Sequence, residues 1–169
     1  MKISWLKNSV FFAILVLLQV WVFNQVHLFG LIIPLPYIYF LLKLSNKANR
    51  NVVVLWAFFL GLTIDVFNNT AGINALATTV VGFFRYYVLQ LMVSREEEAI
   101  VPSTKTMGVS GFIRYALILV LLHHTILFVT EAFSMYSPGL MVLKILGSSV
   151  LSLLLILAFE LLNFEPTEA

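Results

Sequence analysis

The sequence predicts an all-α integral membrane protein of six transmembrane helices, with the second span short or broken by prolines. Three observations carry this. Hydrophobic residues make up 61% of the 169-residue chain and charged residues 11%, against roughly 45–50% and about 25% in soluble domains. The apolar residues gather into six runs near the length of about 20 residues that a helical span needs. The positive charges alternate from one connection to the next, as they do when Lys and Arg are held on the cytoplasmic side.

The spans fall at about 9–28, 30–44, 51–67, 71–93, 112–132 and 139–162, within one membrane domain covering 1–169. The first follows MKISWLKNSV, whose basic flank suits a signal sequence. Its apolar run is longer than the usual 7–15 residues and no small-residue cleavage site follows, so it reads as an uncleaved span. The second opens GLIIPLPYIYF. Pro34 and Pro36 do not both fit inside a regular helix, so this stretch is expected to enter as an extended or re-entrant segment before a helix forms. The third and fourth are joined by a turn at 68–72, and the fifth and sixth are separated by 133–138.

With both termini cytoplasmic, eight of the ten basic residues lie on one side: Lys2 and Lys7, then Lys43, Lys47 and Arg50, then Arg95, Lys105 and Arg114. The opposite connections carry none. They are also too short for a receptor domain, and the longest connection, 94–111, is cytoplasmic. Its Arg95-Glu96-Glu97-Glu98 run reads as a solvated helix end, and it is also the largest surface open to a cytosolic partner. The net charge of +2 gives no reason to expect nucleic-acid binding, and the absence of cysteine excludes disulfides, thiolate nucleophiles and Cys-based metal sites.

Polar residues inside the spans are the candidates for function, because a charge in hydrocarbon costs at least a few kcal/mol, about 2.5–3.5 on insertion scales. Asp65 lies four residues after Gly61 and seven before Gly72. At 3.6 residues per turn Gly61, Asp65, Asn68 and Gly72 share a stripe whose small residues admit a neighbouring backbone. Asp65 is read three ways: as a carboxylate reaching the headgroup region or capping the turn after it, as a buried packing or partner contact, or as an ion- or proton-coupling group. Lys144 stands at about the same depth in span six, either paired with Asp65 or snorkelling to the outer interface. Arg85 is expected to snorkel to the cytoplasmic side beneath a stripe of Ala75, Thr78 and Gly82.

Enzymatic chemistry finds little support. His123 and His124, with Glu131 seven residues beyond, lack an HExxH spacing and a third ligand, so no metal or cofactor is expected. Ser148 and Ser152 follow Lys144 at four-residue intervals, a spacing read as a hydrogen-bonding helix interface in preference to a Ser-Lys dyad.

The stretch FFLGLTIDVFNNTAGINALATTVVGFFR resembles the central signature of the MreD family, bacterial rod-shape-determining membrane proteins. There a Gly and an Asp four apart close one helix and a Gly followed by Ala-Leu opens the next. The matching positions are Gly61, Asp65, Gly72, Ala75 and Leu76, and the entry to span two at Pro34 and Pro36 is similar too. The resemblance implies a non-catalytic scaffold of the cell-elongation complex for lateral peptidoglycan synthesis in the bacterial inner membrane. Its partners would be membrane lipids and an MreC-like bitopic protein, with MreB, RodA and its penicillin-binding transpeptidase nearby. The family's fold looks like that of the substrate-binding subunits of energy-coupling-factor transporters, which implies an alternative: a small-molecule (vitamin) binding subunit with a site near the outer face, for which Asn68, Asn69 and Asn74 are the candidate lining, although the short outer loops argue against a capped pocket. The residues expected to pack or dock are Gly61, Asp65, Asn68, Gly72, Ala75, Leu76, Pro34, Pro36 and Lys144. Their expected mode is helix-to-helix recognition, with Gly61 as a contact face for the partner and 75–82 as a docking face in the alternative.

Overall fold

A computed structural model describes residues 2–93, 99–131 and 137–162, with side chains from residue 6 onward. The described residues form six α-helices and no β-strand: α1 Lys2–Trp21, α2 Tyr39–Leu42, α3 Arg50–Asn68, α4 Ile73–Gln90, α5 Thr104–Glu131 and α6 Pro138–Leu161. The segments Leu6–Gln25, Arg50–Asn68, Thr104–Glu131 and Pro138–Leu161 are long and apolar enough to cross a membrane. The Arg95 to Glu98 run and the greater part of 133–138 lie outside the described residues.

Helices α3, α4 and α6 begin and end within three residues of the expected ranges. The first span is displaced: α1 runs from Lys2 to Trp21, and a single 3-10 turn at Phe23–Gln25 follows it. The fifth begins earlier than expected because a first turn from Thr104 precedes a break at Gly108, whose φ of 70° and ψ of 159° are not helical. Ser103 starts that turn with a reciprocal capping box: its Oγ accepts from Thr106 N at 3.1 Å, and Thr106 Oγ1 accepts from Ser103 N at 3.0 Å.

The second span is interrupted at its prolines, as expected, and its helix is only about one turn long. Within 30–44 only Tyr39–Leu42 is α-helical, preceded by a 3-10 turn at Pro36–Ile38, so this segment does not cross as a helix. It runs through the interior instead, with every residue from Pro34 to Leu44 buried. Non-helical backbone at membrane depth is tolerated only where protein surrounds it and its polar groups find partners. Pro34 and Pro36 contribute by having no N–H to satisfy. The two donors between and before them go to α6, where Ile33 N donates to Ser148 Oγ at 3.0 Å and Leu35 N to Ser152 Oγ at 2.8 Å. Gln19 Nε2 donates to the Pro34 carbonyl at 3.1 Å, and Tyr115 Oη to that of Leu42 at 3.3 Å. Ser148 and Ser152, four apart on one face of α6, therefore form a hydrogen-bonding rail for the buried segment.

Around this segment α3 packs on α4, α4 on α5 and α5 on α6, while α1 lies against α3 and the Pro36–Leu42 region. The α3–α4 contact is the closest. A Cβ added to Gly61 would collide with Thr78 Oγ1 and the Asn74 carbonyl, and one added to Gly82 would stand 2.7 Å from Ala57 Cβ. Small residues on both helices thus let the two backbones approach. Gly61 and the stripe of Ala75, Thr78 and Gly82 face each other inside the fold, not outward toward a partner as expected. A large residue at Gly61 displaces α4 before it reaches any other molecule.

Arg85 is also corrected. It is buried and donates through a terminal guanidinium nitrogen to the Leu44 carbonyl, closing the far end of the central segment instead of reaching the surface.

Candidate functional site

The site centres on the turn between α3 and α4. Helix α3 ends in a Schellman-type cap: Asn69 takes a left-handed φ of 53°, and both Asn69 N and Thr70 N donate to the Asp65 carbonyl. Gly72 then adopts φ 83° as the N-cap of α4. A glycine N-cap has no side chain to receive the first free amides of its helix. Asp65 supplies the missing acceptor from α3. Its Oδ1 accepts from Asn74 N at 3.1 Å and its Oδ2 from Ala75 N at 2.8 Å, the amides of the second and third residues of α4. Asn74 Nδ2 adds a further bond at 2.9 Å, and the Thr70 hydroxyl another. The carboxylate is 2% exposed. It sits at the positive end of the α4 dipole, which favours negative charge there.

The network continues inward. Asn74 turns its amide toward Asp65, so its Oδ1 faces Tyr37 and accepts from the phenol at 3.0 Å. Tyr37 Oη lies 2.9 Å from His123 Nε2. With the phenol proton committed to Asn74, the network assigns the imidazole proton to Nε2. His123 Nδ1 has no partner among the described residues. His124 belongs to a different set: its Nδ1 lies 2.8 Å from the Val120 carbonyl and its Nε2 3.2 Å from Ser152 Oγ. The two histidines therefore do not converge, and no group of three metal-ligating side chains occurs among the described residues.

Above Asp65 a cavity of about 250 Å³ opens at the same end of the bundle. Asn24, His27, Asn68, Thr70, Asn74 and Glu131 supply its polar lining, and Ile33, Leu35, Ile73, Leu127 and Phe128 its apolar walls. Asn24 Nδ2 donates to Asn68 Oδ1 at 2.6 Å across the rim, tying the connection after α1 to the end of α3.

Lys144 does not pair with Asp65. Its Nζ is 2.7 Å from Glu131 Oε2 and 4.5 Å from the Phe128 ring centroid, so α6 is fastened to α5 rather than to α3. Of the other predicted residues, Gly61, Ala75, Pro34 and Pro36 are buried in internal packing, whereas Asn68 and Leu76 are exposed at the Asn68 end.

A second buried cluster lies at the opposite end and was not singled out from the sequence. Glu160 Oε2 accepts from Lys43 Nζ at 3.2 Å and Tyr39 Oη at 2.8 Å, while Oε1 accepts from Thr104 N at 2.8 Å. Both charged side chains are 1% exposed. As Asp65 does for α4, Glu160 provides a carboxylate to the start of α5. The signal was present, since Glu160 is an acidic residue inside an apolar run.

Searches for similarity to protein-family models, curated proteins and solved structures return no match to this chain.

Proposed function

We propose that this chain is a non-catalytic scaffold of the bacterial cell-elongation complex. It lies in the cytoplasmic membrane with both termini inside and docks an MreC-like single-span partner near the machinery of lateral peptidoglycan synthesis. The single observation that carries this reading is the use made of the Gly61, Asp65, Gly72 and Ala75 motif on which the MreD resemblance rests. Those residues lock α3 against α4 through close backbone approach and a shared cap, so the motif makes a stiff hairpin whose outward side chains are held in fixed register. Leu76, beside the cap and 47% exposed, stands on that outward side together with Val66 and Phe67 of α3. Helix association in lipid rests on packing and hydrogen bonds of about 0.5–2 kcal/mol each, which favours a preformed surface over a flexible one.

Photocrosslinking tests the assignment of the face. A benzophenone side chain at Leu76 should yield an adduct with a single-span membrane protein in native membranes, whereas the same group at Leu154, 59% exposed on α6, should not. Equal adducts at the two positions, or none at Leu76, would contradict it.

A further inference from the structure

We propose that the cavity above Asp65 is a binding site for a neutral, polyhydroxylated group the size of one sugar ring. This goes beyond the scaffold reading and does not depend on it. The volume of about 250 Å³ equals on the order of eight water volumes, enough for a ring-sized group and too little for a long chain.

Charge decides the class of ligand. The two carboxylates nearest the cavity are already matched: Asp65 by the start of α4 and its hydrogen bonds, Glu131 by Lys144 at 2.7 Å. A cation entering the cavity finds no uncompensated carboxylate, and an anion meets no Lys or Arg in the lining. A neutral ligand is not penalised in this way.

The remaining polar groups suit hydroxyls. A hydroxyl both donates and accepts, and the lining offers both roles: the Asn68 amide nitrogen as donor, and Glu131 Oε1, the oxygen not used by Lys144, as acceptor. Leu127 and Phe128 form the apolar side, against which the C–H face of a ring packs. Apolar walls with a few convergent polar groups are the general build of small-molecule sites.

The experiment uses the full chain in phosphatidylcholine nanodiscs, with saturation-transfer NMR on methyl glucoside and N-acetylglucosamine as neutral probes and glucosamine and glucuronate as charged ones. The neutral probes should bind and the charged ones bind more weakly. Asn68→Ala should weaken binding about tenfold, the loss of one hydrogen bond to the ligand, in a variant that keeps its helical circular-dichroism spectrum. Ile73→Trp, which fills the cavity, should abolish it. A second set of discs containing a glucosyl diacylglycerol distinguishes the source: saturation of the free glycosides assigns a soluble ligand, and saturation of the glycolipid headgroup alone assigns a lipid-borne one. Either result supports the site. Absence of signal from both free glycosides and from the glycolipid headgroup, tighter binding of a charged analogue, or unchanged binding in a well-folded Asn68→Ala variant would overturn it.

Discussion

Asp65→Ala should destabilise the protein by at least about 3 kcal/mol, because it removes an N-cap and strands several donors at once. The amides of Asn74 and Ala75 and the Asn74 side chain lose this acceptor in a buried place, and the part-buried Thr70 hydroxyl loses it too. Asp65→Asn should cost less, about 2 kcal/mol, since one carbonyl oxygen remains while the new amide faces other donors. Reversible unfolding in mixed micelles measures the loss, and hydrogen exchange locates it: the Asn74 and Ala75 amides should lose protection before those in the middle of α4. The exchanged pair Asp65→Lys with Lys144→Asp should not recover stability, because the Lys144 partner is Glu131. Recovery would mean that Asp65 and Lys144 are in contact after all.

The second large effect lies at the other end of the bundle. Glu160→Leu takes the Glu160 carboxylate from the buried Lys43 ammonium and the acceptor from Thr104 N, a change expected to cost about 3–5 kcal/mol. Lys43→Met should cost less, about 1–3 kcal/mol, because Glu160 keeps the Tyr39 phenol and the Thr104 amide. Combining the two should be milder than the sum of the singles by about 1–3 kcal/mol. Additive losses would show that the pair is not coupled and that Lys43 takes its stability from elsewhere.

How far the fold was legible depended on the range of the interaction concerned. Asp65 and Gly72 are seven residues apart, and their spacing within one turn was enough to suggest a cap. The four-residue spacing of Ser148 and Ser152 likewise announced a polar helix face. Pro34 and Pro36 showed that span two could not be a plain helix, but proline chemistry says only that the helix breaks. Burial of the whole stretch from Pro34 to Leu44 depends on Gln19, Tyr115 and the α6 serines, which are distant in sequence.

Charged residues show the same divide. Lys43 and Arg85 were sorted by position along the chain, and a rule about which side of the membrane holds positive charge does not distinguish a loop lysine from one turned inward. Lys43 finds Glu160 at a separation of 117 residues. Lys144 finds Glu131 only 13 residues earlier, a closer candidate than Asp65. Gly61 was recognised as a close-approach site, yet nothing local indicated whether the approaching helix belonged to this chain or to a partner. The structure answers with α4, through Thr78 and Asn74. Of the cavity, Asn68 and Asn74 were legible as candidate lining, but the rest of its lining comes from three other, separated parts of the chain.

These contacts divide the candidate residues by role. Gly61, Asp65, Gly72 and Ala75 shape the hairpin, and the exposed side chains around Leu76 are what a neighbouring helix would meet. A substitution in the first set acts through folding and one in the second through association, so stability and partner recovery should separate.

Affinity purification of the intact protein from native bacterial membranes in mild detergent tests the functional claim most directly. The scaffold account predicts recovery of a single-span membrane protein together with wall-synthesis enzymes, with less of that partner when Leu76 is replaced by a charged residue. Recovery of paired ATPases of a transporter instead would contradict it.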